Sequence, residues 1–270
     1  MDATKAKDHD PRYFVESAAR SMDLLMFMAR TGQPVSLGDL VEGLGWTKPM
    51  VYRLIRTLEM QSGVRKAGRD GYILGPAIVE LGQAALRSMS LIPVAHPHME
   101  ELNQRHTISS VNLAVLDGHE VLYIHHVEGQ HLVVVRVGVG TRLPAHLTSM
   151  GQVLLAAHSD EEVREIVADA DFSAGGPQAV RSADELIYRL DEVRRRGYCL
   201  SDAELSAGVR AVAVPLRDYS GEVIAGVNAS VPPASMTLDE IRRTIVPDVI
   251  STGERISADL AHPIANGKGK

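Results

Sequence analysis

Apolar residues recur at helical spacing through Val15, Ala18, Ala19, Met22, Leu25, Met26 and Ala29, which predicts a first helix with that stripe turned inward. Thr31-Gly32-Gln33-Pro34 ends it. A short second helix begins at Ser36, carries Leu37, Leu40, Val41 and Leu44, and breaks at Gly45. Thr47 then supplies an N-cap, and Pro49 sits in the first turn, where its missing N–H costs nothing. The third helix shows Val51, Leu54, Ile55 and Leu58 on one face and stops at Gly63. There the period changes from helical to alternating. Val64-Arg65-Lys66 and Gly71-Tyr72-Ile73-Leu74 read as two short strands around Ala67-Gly68-Arg69-Asp70, a hairpin tip. Three helices followed by a hairpin is the order of a winged helix-turn-helix.

Gly75-Pro76 punctuates the chain, and Ile78, Leu81, Ala85, Leu86 and Met89 mark a connecting helix that ends near Pro93. Another helix is expected from Val94 to His106. Strands follow at Val111–Leu116 and Val121–Val127, joined by Asp117-Gly118-His119, and a third at Leu132–Val137. Gly138, Gly140 and Pro144 mark an irregular turn into a helix near Thr148–Ala157. Capping boxes at Ser159…Glu162, Ser182…Glu185 and Thr237…Glu240 start three more helices. Between the last two lie strands near Tyr198–Ser201, Val209–Leu216 and Val223–Val231. The pattern divides the chain into a tail at 1–12, a DNA-binding domain at 13–75, a linker helix at 76–92, a larger α+β domain at 93–263 and a tail at 264–270.

At 270 residues the chain has room for one large domain or two ordinary ones. No apolar run approaches the roughly 20 residues of a membrane span. The polar opening Met1-Asp2-Ala3-Thr4-Lys5 shows no signal peptide. A single cysteine, Cys199, makes a cytoplasmic location the simplest expectation. Charge changes the picture more. The chain carries −6 overall, yet residues 46–70 hold Lys48, Arg53, Arg56, Arg65, Lys66 and Arg69 against Glu59 and Asp70 alone. A local +4 in an acidic protein is an electrostatic footprint for phosphate.

In a helix-turn-helix the second helix of the pair enters the major groove. Here it starts at Thr47, and its face away from the apolar stripe carries Lys48, Met50, Tyr52, Arg53 and Arg56. Arginine can grip guanine or phosphate, hydroxyls of Thr47 and Tyr52 suit phosphate, and Met50 could touch a thymine methyl. Arg65, Lys66 and Arg69 on the wing complete the predicted DNA contacts. The competing reading is that Arg53 or Arg56 only pairs with Glu59 or Glu42.

The chain resembles an IclR-type transcriptional regulator over almost its whole length. The resemblance rests on Tyr13-Phe14-Val15-Glu16-Ser17-Ala18-Ala19-Arg20, on Trp46-Thr47-Lys48 with Tyr52-Arg53-Leu54, and on Tyr72-Ile73-Leu74-Gly75. It continues in Gly140-Thr141-Arg142-Leu143-Pro144-Ala145-His146, in Thr148-Ser149-Met150-Gly151-Gln152, and in Arg196-Gly197-Tyr198 with Asp202, Glu204 and Gly208. It implies a winged helix domain, a linker helix and a GAF-like effector domain with an antiparallel sheet flanked by helices. It also implies homodimers, often paired into tetramers, on double-stranded operator DNA. The stretch Arg136–His146 is similar to the branch that controls aromatic-acid and beta-ketoadipate catabolism. Pro49 and Met50 stand where the family usually has Ser-Thr, which implies an altered operator preference.

The resemblance also implies an effector pocket walled by Leu132, Val135, Ser149, Met150, Ser201, Ala211, Asn228 and Ser230, with Arg142 as a candidate carboxylate partner. By that resemblance Ser201 stands where the glyoxylate-responsive type member has an acidic residue, Ala211 replaces a Cys and a pair of serines becomes Asn228 and Ser230, which argues against a glyoxylate-like effector within the expected class of small organic acids. Asn228 and Ser230 share one strand face, and Leu132, Val135 and Met150 can line an apolar slot. The same three could equally be core, and Arg142 could equally brace its turn. No cofactor and no metal are expected, although His96, His98, His106, His125 and His126 leave a zinc site as an alternative. An enzyme with Cys199 as nucleophile is the other alternative, but no nucleophile elbow, phosphate loop or dinucleotide fingerprint appears.

Overall fold

Helix α1 (Glu16–Thr31) ends where Gly32 takes the left-handed conformation. Strand β1 (Val35–Ser36) leads into α2 (Leu37–Leu44), whose capping box pairs Ser36 with Asp39. Helix α3 (Lys48–Met60) follows, then β2 (Val64–Ala67), β3 (Gly71–Leu74) and α4 (Pro76–Ser88). The computed structural model describes residues 14–68, 70–88, 91–106, 108–129, 137–232 and 235–261. The chain divides into two compact units, Met1–Ser88 and Met89–Lys270.

In the first unit Leu24, Met28, Val35, Leu40, Val51, Ile55 and Val64 form the core. This corrects the reading of α1. Its inward face is Leu24 and Met28, flanked by Leu25 and Phe27, while Val15 and Met22 stay about 60% exposed (61% and 59%). The helix carries two apolar stripes, and this unit buries the one that meets α2 and β3. Strand β1 was not expected. Its two residues pair with β3 to give the sheet order β1-β3-β2.

The second unit opens with α5 (Leu91–Arg105). Strands β4 (Ser110–Asp117) and β5 (Glu120–Glu128) form a hairpin. Strand β6 (Arg142–Pro144), three residues long, was also missed; a 3-10 turn (Ala145–Leu147) joins it to α6 (Ser149–Leu155). Helices α7 (Asp160–Ile166) and α8 (Ala183–Arg196) precede β7 (Cys199–Asp202), β8 (Arg210–Arg217), β9 (Val223–Val231) and α9 (Leu238–Ala261). The strand expected at Leu132–Val137 lies largely outside the described residues, and Val137 is in no strand.

The six strands form one antiparallel sheet in the order β6-β5-β4-β9-β8-β7. Its central strands are buried on both faces, so β8 reads Arg-Ala-Val-Ala-Val-Pro-Leu-Arg rather than alternating with polar residues. Ala213 faces the cluster of Met150, Val153 and Leu154 on α6, which α8 backs with Leu186 and Leu190. On the opposite face α9 lies so close that a Cβ on Gly253 would come within 2.5 Å of Val214 Cγ2. The fold is thus α+β, with a helix-turn-helix unit and an antiparallel sheet covered by helices.

Candidate functional sites

Helix α3 is held by Val51 and Ile55, which sink into the first unit's core and turn the opposite face to solvent. Lys48, Tyr52, Arg53 and Arg56 are exposed on it, and Thr47 is exposed at its start with no side-chain cap bond. Antiparallel register places Arg65 opposite Ile73 and Lys66 opposite Tyr72, with both cations exposed on the wing. Lys48, Arg53, Arg65 and Lys66 make no ion pair among the described residues.

Two of the residues assigned to this face behave differently. Arg56 Nη1 pairs with Glu59 Oε2 at 2.6 Å, as the competing reading had it, although an exposed pair of this kind contributes only about 0–1 kcal/mol. Met50 is half-buried and turned toward α1, where its sulfur accepts from Arg20 Nη1 at 2.9 Å. The same guanidinium stacks 5.8 Å from the Trp46 ring centroid. Met50 therefore packs against α1, where it helps brace the helix pair. Arg69 lies outside the described residues.

The second unit holds a cavity of about 630 Å³ of atom-free space, its open mouth included. Its floor is one face of the sheet. Ser201 on β7 is the register partner of Ala211 on β8, Ala211 of Ser230 on β9, and Ser230 of Ser110 on β4. In the next row Asn228 partners Asn112. All six residues line the cavity, with Ser149 at the start of α6. Asn112 Nδ2 donates to Asn228 Oδ1 at 2.9 Å and to Ser110 Oγ at 3.0 Å. Asn112 Oδ1 and Ser149 Oγ are buried without a partner among the described residues.

Other residues assigned to this pocket sit elsewhere. Met150 is fully buried, and its Cγ would lie 3.5 Å from a Cβ on Gly226. Gly226 is two residues before Asn228 on the same face, so the methionine fills the core just beyond the cavity wall. Arg142 is bound by Asp117 and Glu120 and lines no part of the cavity, so it braces its turn. Leu132 and Val135 lie outside the described residues.

The residues that sequence reasoning missed include Ser109, Ser110, Asn112 and Tyr123, with Leu205, Gly208, Val209 and Arg210 from the segment after β7. Ser110 and Asn112 had a legible signal, because they put two polar groups on one face of an otherwise apolar strand. The segment after β7 had none. It is anchored by Glu204, a buried carboxylate whose Oε1 pairs with Arg189 at 2.9 Å and which also accepts from Gln152. Burial pushes the Glu204 carboxyl up, against the pull of Arg189. Arg210 also lines the cavity, but its Nε meets Asp202 Oδ1 at 2.6 Å and its Nη1 donates to Met236 O at 2.9 Å.

The candidate zinc histidines do not converge. His98 meets Asp259 at 2.8 Å, His106 meets Asp248 at 2.5 Å, and His96 Nδ1 lies 2.9 Å from His125 Nε2. Among the described residues no three metal-ligating side chains cluster. Nor is any described helix long and apolar enough to cross a membrane.

A helix-turn-helix with a cationic reading face, joined in one chain to a domain with a polar cavity, defines a ligand-responsive transcriptional regulator. The comparisons with known proteins agree. The IclR helix-turn-helix domain model matches residues 17–68, and the model of the bacterial transcriptional regulator IclR C-terminal domain matches residues 83–258. The chain belongs to the IclR family of transcriptional regulators. The Pca regulon regulatory protein of Pseudomonas putida is 31% identical over 253 residues, covering 93% of this chain and 84% of that protein. The transcriptional repressor IclR of Escherichia coli (strain K12) is 30% identical, covering 84% of each chain. Among solved structures, an IclR homolog from Microbacterium hydrocarbonoxydans complexed with 4-hydroxybenzoate superposes with a TM-score of 0.79 at 26% identity. That match covers 91% of this chain and 99% of the other.

Proposed function

We propose that this regulator reads operator DNA with α3 and the β2–β3 wing, and that a small organic acid of aromatic type sets its affinity from the cavity of the second unit. The observation that carries the DNA reading is a set of exposed cations without acidic partners among the described residues: Lys48, Arg53, Arg65 and Lys66. Arg53 is the base reader in this assignment; Lys48, Arg65 and Lys66, with the Thr47 and Tyr52 hydroxyls, hold phosphate. Arg56 joins them by releasing Glu59. The protein acts as a homodimer or a pair of dimers, because helix-turn-helix proteins read two half-sites about one helical turn apart. It works in the cytoplasm beside its DNA and catalyses no reaction.

The acid reading is supported by the cavity's chemistry. Hydroxyls of Ser149, Ser201 and Ser230 can donate to a carboxylate, and Ala211 leaves room beside them. The Pca regulon relative and the 4-hydroxybenzoate complex are consistent with an aromatic ligand. An effector held better in one arrangement of the dimer shifts half-site spacing, with a coupling of about 1–3 kcal/mol.

The test is fluorescence anisotropy on the chain's own upstream DNA at about 0.15 M salt, with random DNA as competitor and a panel of aromatic and dicarboxylic acids. Specific binding, shifted by an acid, is expected. Arg53→Ala should weaken it by about 1–3 kcal/mol and relax one base position. Binding that random DNA competes away equally, or an Arg53→Ala variant as tight as the parent, overturns the corresponding assignment.

A further inference from the structure

The cavity floor poses a specific chemical demand. Asn112 is 2% exposed, and the contacts made through its Nδ2 are donations to protein oxygens, Asn228 Oδ1, Ser110 Oγ and, at 3.5 Å, Ser230 Oγ. Asn112 lines the cavity, and its Oδ1 has no hydrogen-bond partner among the described residues. Ser149 is likewise 2% exposed, and its Oγ is also unpartnered. Buried polar groups left unpaired are costly, and a ligand that pairs them removes that cost.

The two orphaned atoms ask for different things. An amide oxygen only accepts. An ionised carboxylate placed against Asn112 Oδ1 would set acceptor against acceptor, so the group that meets it must carry a proton. A serine hydroxyl can donate, so Ser149 Oγ is suited to a carboxylate oxygen. No donor among the described residues reaches Asn112 Oδ1. The neighbouring floor positions Ser110 Oγ and Asn228 Oδ1 already accept from its amide, and Ser230 Oγ stands 3.5 Å from that same nitrogen. Among the described lining residues only Arg210 is charged, and Asp202 holds it.

We infer that Asn112 makes this regulator select a hydroxylated acid, with the effector's hydroxyl donating to Asn112 Oδ1 and its carboxylate accepting from Ser149 Oγ. Asn112 is the specificity residue in this arrangement and Ser149 the anchor. The inference rests on the acid reading proposed above and adds to it the second functional group. A site built to pair a hydroxyl rejects the analogue that lacks it far more strongly than an apolar slot rejects a missing methylene.

The experiment is isothermal titration of the full-length protein with matched pairs: 4-hydroxybenzoate against benzoate, and 3-hydroxybutyrate against butyrate. In at least one pair the hydroxylated member should bind at least about tenfold tighter. Asn112→Leu, of similar volume but with no acceptor, should bring that ratio close to one. Ser149→Ala should weaken both members by a similar factor and leave the ratio standing. Equal affinities within each pair that binds overturn the inference and leave the acid reading intact. No binding by any of the four acids overturns both. The parent ratio and Ser149→Ala decide the matter even if Asn112→Leu does not fold. A ratio that survives in a folded Asn112→Leu overturns the role of Asn112.

Discussion

The thiol of Cys199 lies inside the second unit's core, donating to Gln152 Oε1 at 3.2 Å, and burial pushes its pKa well above the ordinary thiol range. A buried thiol whose pKa is raised is a poor nucleophile. Native protein should therefore alkylate with iodoacetamide only as fast as it opens, while urea-unfolded protein reacts at the rate of a free cysteine. Native alkylation at the free-thiol rate would show an accessible thiolate and revive the enzyme reading. At this scale the residue types on α3 were legible, because a helix with a buried stripe presents its other face predictably. Their partners were not. Arg53 and Arg56 look alike in the sequence, and only side-chain placement gives one of them Glu59 and leaves the other without an acid among the described residues. Met50 likewise found Arg20, thirty residues earlier in the chain.

Among elements, the start of α6 carries the strictest local demand. Thr148 caps it by accepting from Gly151 N at 3.0 Å, and a Cβ on Gly151 would stand 2.1 Å from the carbonyl oxygen of Ala145. That obstacle is backbone, so it cannot swing away. The close approach seats the 3-10 turn against α6 and so fixes where Ser149 enters the cavity. Gly→Ala in an ordinary helix is favourable by about 1 kcal/mol. Gly151→Ala should instead destabilise the second unit by roughly 1–3 kcal/mol in urea melts of the whole chain, as overpacking does. A neutral or stabilising result would mean that the turn can retreat. Elements with end signals were read well: the Ser159–Glu162 box starts α7, and the Thr237–Glu240 pair starts α9. The shortest strands, β1 and β6, were missed because two or three residues carry no period. The inward face of α1 was misread because two apolar stripes competed, and nothing local says which one a domain will cover.

Over the whole molecule, the division into two compact units predicts where a ligand acts on stability. An effector bound in the cavity stabilises the state that holds it by about 2.7 kcal/mol at a hundred times its dissociation constant. Hydrogen exchange of the full chain with saturating acid should slow in β4, β8 and β9, whose residues line the cavity, and leave α2 and α3 without DNA unchanged. Slowing confined to α2 and α3 would move the effector site to the first unit. The sequence by itself determined the kinds of element, their order, the exposed cationic face of α3 and the α+β class, because each depends on periods and end signals within some twenty residues of chain. The cavity was decided by tertiary structure. Ser110, Asn112, Ser201, Asn228 and Ser230 meet only through the pairing order β4-β9-β8-β7, in which β4 and β9 join residues more than a hundred apart. Which polar atoms end up buried and unpaired there follows from that pairing, because hydrogen bonding across a sheet is set by register, and register by the whole packed core.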